Sequence, residues 1–409
     1  MRILIALTYY RPHYSGLTIY VERLARALAR RGHQVTVLTS QFDKALPRQE
    51  DIDGVQIIRL PVLMRISKGV LMPSMPLHAW QQVREADIVN VHLPQLDAAL
   101  IASLARVSGK PLVMTYHCDL RLPSGFIHRL ANLASSIANW ISASMAQVIV
   151  TNTWDYAEHS NYLRRYLSKV EIIPPAVELP QVSDELVAAF QRKHHIQQDS
   201  IVIGMLARLA TEKGVEFLVQ AMPHILARYP QAKVLYAGQY QNVLGEEEYY
   251  RRLAPLIEKL GEHWQFLGVI PSDELVPFLQ SCKVTVLPSL NSTESFGMVQ
   301  VESMSCGTPS VASDLPGVRQ PVLMTGMGLI SPPGDAQALA QAIMTVLDNP
   351  QAYHRDGGLV REQFSPEAQA IHYEEVFARL APHAAQAQIT LHDQETCLGT
   401  PGEANHSSK

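Results

Sequence analysis

Hydrophobic positions along this chain switch between two periods. Short β-branched runs such as Gln34-Val-Thr-Val-Leu-Thr, Ile88-Val-Asn-Val and Leu112-Val-Met-Thr predict buried strands. Between them the spacing turns helical. Val21, Leu24, Ala25 and Leu28 fall on one face, and Gly32 stands where a helix C-cap is expected. The same alternation resumes further on. Ile201-Val-Ile-Gly, Lys233-Val-Leu-Tyr-Ala and Val284-Thr-Val-Leu read as strands, and Leu218, Ala221, Met222 and Ile225 mark a helix that stops before Pro230. Strands alternating with helices predict parallel sheets covered on both faces, hence two doubly wound α/β domains in tandem.

The boundary is expected at Ile172-Ile-Pro174-Pro175-Ala-Val-Glu-Leu-Pro180, where three prolines stiffen the chain. This gives a first domain over 1–176, a second over 177–364, and a last helix at about 365–381. Residues 382–409 turn to Ala, Gln, Ser and Gly and read as a disordered tail. The stretch 130–154 has no charge but holds Asn132, Ser135, Ser136, Asn139, Ser142, Ser144 and Gln147, so it reads as an amphipathic helix followed by the strand Val148-Ile-Val. The short apolar run at the start is read as a buried strand rather than a targeting segment.

Composition changes this picture little. A chain of 409 residues, 47% hydrophobic and 18% charged, is neither disordered, collagen-like nor a coiled coil. Its four cysteines, at 118, 282, 306 and 397, form no CxxC pair and suit a reducing compartment. Charge divides the halves: residues 1–180 carry a net +6 and residues 181–409 a net −10.

In open α/β sheets, ligands bind outside the carboxyl ends of strands, so the loops there hold the candidate chemistry. After the first strand, Ser15-Gly16 leads into a helix, and Gly16 leaves room for a phosphate at backbone N–H groups. The loop is not GxGxxG, which disfavours a nicotinamide enzyme. Thr115-Tyr-His117-Cys-Asp119 at another strand end suits metal binding, proton shuttling, sugar contact or a local hydrogen-bond role. Arg208 and Lys213, on the loop after 201–204, suit a diphosphate: the guanidinium grips two oxygens and the ammonium adds a point charge. Glu294 and Glu302, in Glu294-Ser-Phe-Gly-Met-Val-Gln-Val-Glu302, are expected on nearly one helical face, with Ser295, Phe296 and Gly297 opening the helix. Such carboxylates accept the hydroxyls of a ribose diol, form a glycosidase acid/base pair, or stand solvated. Asp51-Ile-Asp53 spells a metal-binding DxD, but Asp53-Gly54 reads as a hairpin turn.

Together these pieces resemble the retaining glycosyltransferases of family 4, with the GT-B fold. The resemblance covers residues 1–381 and rests on ESFGMVQVE followed by SMSCGTPSVAS. It is supported by SGLTIYVERLARALARRGHQVTVLT, the TYHCD loop and the ARLATEKG loop. It implies two Rossmann-like domains facing across a cleft, with the last helix crossing back to the first. By position, Arg208 and Lys213 would hold the diphosphate of a nucleotide-sugar donor and Glu302 its ribose. Glu294 and the backbone of Phe296, Gly297 and Met298 would hold the hexose, His117 would contact that hexose from the other domain, and Gly16 would leave room for phosphate and acceptor. Arg208, Lys213 and helix N-termini would stabilise the leaving group, so no cofactor and no metal are expected. Retention by front-face attack is implied, with Glu294 not a nucleophile. The chain departs from the family pattern at Ser15-Gly16, at Gly238-Gln-Tyr240 and at Pro175-Ala176.

Alternatives on the same fold are a nucleotide-sugar epimerase, a phosphorylase or a non-catalytic nucleotide-sugar-binding subunit. The expected acceptor is a sugar, a lipid-linked molecule or a glycan, such as a polysaccharide precursor, and no nucleic-acid partner is expected. The window after Asp53 holds Arg59, Arg65, Lys68 and Arg84, with Leu63-Met64 and Val70-Leu-Met-Pro-Ser-Met75. A second window holds Arg106, Lys110, Arg121 and Arg129 with Asp119 as its one acid. Basic residues interleaved with apolar ones suit an anionic membrane surface. The expected location is cytoplasmic, peripheral on the membrane in that reading.

Overall fold

The computed structural model describes residues 1–66, 69–119, 126–197 and 199–386, with the side chains of Ile66 and 126–135 left out. The chain forms two compact units. The described part of the first comprises residues 1–116, 126–150 and 370–386, and that of the second comprises 117–119 and 151–369. The loop from His117 and residues 151–176 group with the second unit rather than the first, and the last helix rejoins the first unit from Ala370.

The first unit contains β1 (Arg2–Ala6), β2 (Gln34–Gln41), β3 (Gln49–Ile52), β4 (Val55–Pro61), the ribbon strands β5 (Met64–Ile66) and β6 (Gly69–Leu71), β7 (Ile88–Leu93), β8 (Leu112–Tyr116) and β9 (Val148–Thr151). Its main sheet runs β9-β8-β7-β1-β2-β4-β3. All neighbours are parallel except β3, which returns antiparallel on β4. Both β7 and β8 are buried at every position, Asn90 and His92 included.

Ser15 starts the helix Gly16–Arg30 by accepting the Thr18 N–H at 3.2 Å. Its buried face includes Val21, Leu24, Ala25 and Leu28, as the spacing predicts. The helix Pro366–Leu380 supplies Tyr373, whose hydroxyl lies 2.9 Å from both the Tyr20 hydroxyl and Thr115 Oγ1. Glu374 accepts two bonds from Arg31 at 2.7 Å and lies 2.7 Å from His33 Nε2. The return of the last helix to the first unit is thus fixed by buried hydroxyls and an ion pair. Of the expected tail, residues 382–386 continue in a helical turn and 387–409 lie outside the described residues.

The second unit holds β10 (Val170–Ile172), β11 (Ile201–Leu206), β12 (Ala232–Ala237), β13 (Trp264–Gly268), β14 (Val284–Leu287), β15 (Ser310–Ser313) and β16 (Gly328–Ser331). Its sheet runs β13-β12-β11-β14-β15-β16 and is parallel throughout. In order of appearance that is 3-2-1-4-5-6, the Rossmann arrangement, and β4-β2-β1-β7-β8-β9 repeats it in the first unit. The winding direction reverses between β11 and β14, and between β1 and β7. Both units are Rossmann-like, and the fold is GT-B.

Candidate active site

The reversal point of the second sheet brings together the loops that leave β11 and β14. The β11 loop carries Arg208 and passes through a short 3-10 turn, Thr211–Lys213, to Gly214. Gly214 has φ +64° and sits so close to the Pro288 carbonyl that a Cβ there would collide with it. The Leu290 N–H donates to the Glu212 carbonyl at 2.9 Å, closing the two loops on each other. Across this junction Lys213 Nζ lies 2.5 Å from Glu294 Oε2. Each side chain is about one-fifth exposed (21% and 19%), so the pair is accessible from one side. Arg208 is about half exposed and holds Glu212 at 3.2 Å.

Glu294 and Glu302 do not share a helical face. The helix runs Met298–Ser305, and Gly297 before it adopts φ +82°, where a Cβ would meet the Leu287 side chain. That left-handed residue turns the chain out of helical geometry, so Glu294 lies in the preceding loop and only Glu302 is on the helix. Phe296 is buried in a cluster with Leu287, Val301, Met304, Val318 and Phe364, which leaves its backbone as the part available to a ligand. Buried Gln300 donates to the carbonyls of Phe296 (3.2 Å) and Val318 (2.9 Å), fixing the turn ahead of Met298.

His117 is buried, and desolvation pushes its imidazole down to about 3, so the ring is neutral near pH 7. Its loop is held through Tyr156. The Asp119 N–H donates to the Tyr156 hydroxyl at 2.7 Å, and that hydroxyl donates to the Ser292 carbonyl at 3.1 Å, two residues before Glu294. Ser160 also donates to Asp119 at 2.7 Å. His117, Arg208, Lys213, Glu294, Phe296, Gly297, Met298 and Glu302 therefore all belong to the second unit. Tyr156 carries no signal in the sequence, because its partner Ser292 is far away along the chain.

Two family models account for most of the chain. Glycosyltransferase Family 4 matches residues 14–181, and Glycosyl transferases group 1 matches 187–360. The chain is a glycosyltransferase of the family 4 type. Relatives include the D-inositol 3-phosphate glycosyltransferase of Acidothermus cellulolyticus, 28% identical over 364 residues, 81% of this chain and 78% of that protein. The phosphatidyl-myo-inositol mannosyltransferase of Mycobacterium leprae is 26% identical over 82% of this chain and 84% of its own. Among solved structures, Anabaena HepE in complex with UDP-glucose superposes with a TM-score of 0.71 at 21% identity, over 93% of this chain and all of the other.

Within this glycosyltransferase, Gly16 is the first residue of its helix and belongs to the first unit. Asp51 and Asp53 stand at the β3–β4 hairpin, where Asp53 and Gly54 both have positive φ and Asp51 accepts the Gly54 N–H at 3.1 Å. Asp53-Gly54 is the turn, as the sequence predicts, and Asp51 stands in β3 just before it. Among the described residues, no cluster of three or more His, Cys, Asp or Glu is arranged to hold a metal.

The basic and apolar windows of the first unit divide. Val70, Met72 and Met75 are core, and Arg59 is buried against Glu50 and the Arg11 carbonyl. Leu63, Met64, Leu71, Leu77 (71%) and Trp80 are exposed, as are Arg65 and Arg84, and Arg84 stacks over the Trp80 ring. Lys110 donates to the Ala86 carbonyl at 2.6 Å. Arg121 and the Arg129 side chain lie outside the described residues. Among the described residues no helix is long and apolar enough to cross a membrane.

Proposed function

We propose that this glycosyltransferase moves a hexose from a nucleoside-diphosphate donor to a polyhydroxylated acceptor, with retention at the anomeric carbon. The observation that carries the reading is the Lys213–Glu294 pair at the reversal point of the second sheet, beside Arg208. Negative charge develops on the diphosphate as the sugar–phosphate bond breaks. Arg208 and Lys213 stabilise that charge directly, so the reading asks for no metal. Glu302 takes the ribose hydroxyls, and a carboxylate is the stronger acceptor for them. Glu294, with the backbone of Phe296, Gly297 and Met298, orients the hexose. Neutral His117 serves as a hydrogen-bonding group toward the sugar rather than as a cation. Retention then follows from attack on the same face as the departing diphosphate, with Glu294 orienting and not attacking.

The relatives named for inositol phosphate and phosphatidyl-inositol support a cyclitol or cyclitol-lipid acceptor. The exposed Leu63, Met64, Leu71, Leu77 and Trp80, flanked by Arg65 and Arg84, support docking of the first unit on an anionic lipid surface at the cytoplasmic face. Each basic residue near such a surface contributes about 1 kcal/mol, so this binding is salt-sensitive. The reading is tested by incubating the protein with UDP-, GDP- and ADP-hexoses and candidate cyclitols and following the anomeric proton by NMR. A product with the donor's anomeric configuration supports it, and an inverted product overturns retention.

A further inference from the structure

The segment 292–297, which carries Glu294, belongs to no helix or strand. Its shape therefore depends on what it rests against. Residues 152–156, around the start of the short helix Trp154–His159, hold it on both sides of Glu294. Before Glu294, the Tyr156 hydroxyl donates to the Ser292 carbonyl at 3.1 Å. After it, buried Asn152 Nδ2 donates to Ser295 Oγ at 3.0 Å.

Asp155 adds a third hold by way of the turn that follows β15. Its Oδ2 accepts the Gly317 N–H and Arg319 Nε, both at 2.9 Å, and its Oδ1 accepts Arg319 Nη2 at 2.6 Å. Nη1 of Arg319 donates to Asp314 at 2.9 Å, which closes the turn on itself. A planar guanidinium matched to both oxygens of a carboxylate fixes direction as well as distance. Burial pushes the Asp155 carboxyl up, but the bonds from Arg319, the Gly317 N–H and Gln320 outweigh it and leave it below its ordinary range. Gly317 itself is wedged against the segment: a Cβ there would collide with the Ser295 carbonyl and crowd Tyr156. The next residue, Val318, takes the Gln300 amide on its carbonyl at 2.9 Å. The ion pair thus presses one turn onto the backbone that lies between Glu294 and the start of the helix Met298–Ser305.

Resting on the glycosyl-transfer reading above, we propose that Asp155 and Arg319 are positioning residues, which act through Gly317 and Ser295 to hold Glu294 and the 296–298 backbone in the shape that receives the hexose. In that reading a bare nucleoside diphosphate meets Arg208, Lys213 and Glu302, so loosening the segment leaves its binding nearly unchanged. Turnover of the sugar conjugate falls, because a small misplacement of the groups that orient a reacting sugar costs rate.

The test uses the full chain with UDP, GDP and ADP and with UDP-glucose, GDP-mannose and ADP-glucose. Calorimetry reads nucleotide binding, hydrolysis of the conjugate at saturation reads kcat, and hydrogen exchange reads the amides of 292–298. In Asp155→Ala and Arg319→Ala the expected results are an unchanged nucleotide dissociation constant and a kcat lower by about tenfold or more. Exchange at 292–298 is expected to rise about tenfold, with the amides of β11 and β12 unchanged. The double variant is expected to be no slower than the slower single one, because both residues act through one link. Unchanged kcat, or unchanged exchange at 292–298, overturns the positioning role. So does a loss of nucleotide binding accompanied by faster exchange in β11 and β12, which marks general loosening of the unit. A wild type that binds and turns over none of these ligands overturns the transfer reading instead, and the hold on 292–298 then stands or falls on exchange alone. Should the alanine variants fail to fold, Asp155→Asn and Arg319→Lys, which keep the size or the charge but not the paired fork, decide on the same readouts.

Discussion

Lys213 Nζ lies 2.5 Å from Glu294 Oε2, joining two loops that leave neighbouring parallel strands at the point where the second sheet reverses its winding. In the proposed reading this pair, each side chain about one-fifth exposed, places an ammonium for the diphosphate before a donor arrives. A preplaced charge needs little reorganisation when the diphosphate leaves, which is why such groups have large effects on rate.

Replacement of Lys213 by Met, or Arg208 by Ala, is expected to lower kcat by about 100-fold or more, the usual loss for one such group. Asp51→Ala and Asp53→Ala, in the β3–β4 hairpin, are expected to leave kcat unchanged. Steady-state kinetics on the four variants checks this. An Asp51 variant as damaged as the Lys213 variant would contradict it.

Glu302→Gln is expected to weaken donor affinity about tenfold, as a neutral amide accepts ribose hydroxyls less strongly than a carboxylate. The loss should shrink for a donor with a 2′-deoxyribose, because one of the hydroxyls is already missing. Equal losses with both donors would place Glu302 away from the ribose.

How much of this was legible in the sequence depends on range. The strands Ile88–Leu93 and Leu112–Tyr116 and the helix Gly16–Arg30 follow from local periodicity, and the structure keeps them nearly to the residue. The Asp53-Gly54 turn is equally local. The face shared by Glu294 and Glu302 failed because periodicity assumes an unbroken helix, and Gly297, at φ +82°, turns the chain out of helical geometry just before Met298. His117 grouped with the second unit because of Tyr156 and Ser292, a contact that no spacing rule reports.

The pH dependence of stability should show His117. Its folded value, about 3, lies below the ordinary 6.5, so the native state binds fewer protons than the unfolded state. The stabilisation from the neutral ring is complete above about pH 6.5 and falls as pH drops toward 3. His117→Gln is expected to flatten this slope between pH 4 and 6 in urea titrations. The kcat/KM profile should lack a His117 limb near 6.5. An acidic limb there that disappears in His117→Gln would contradict the neutral assignment.

Glu374→Ala leaves Arg31 and His33 without their shared carboxylate and is expected to destabilise the protein by about 1–2 kcal/mol. Arg31 and His33 hold the Glu374 carboxyl below its ordinary value despite burial. Its contribution is therefore present above the ordinary carboxylate range and is lost as pH falls through the folded value. Wild type and variant should converge in acid, and a difference that widens there would contradict the pairing.

The most direct measurement is a thermal-shift titration with nucleoside diphosphates and their hexose conjugates, on wild type, Arg208→Ala and Lys213→Met. A ligand at 100 times its dissociation constant adds about 2.7 kcal/mol of stability. The account predicts a rise of several degrees for at least one nucleoside diphosphate in wild type, and its loss in both variants. Variants stabilised as strongly as wild type, or a wild type stabilised by none of these ligands, would contradict a diphosphate site between the β11 and β14 loops.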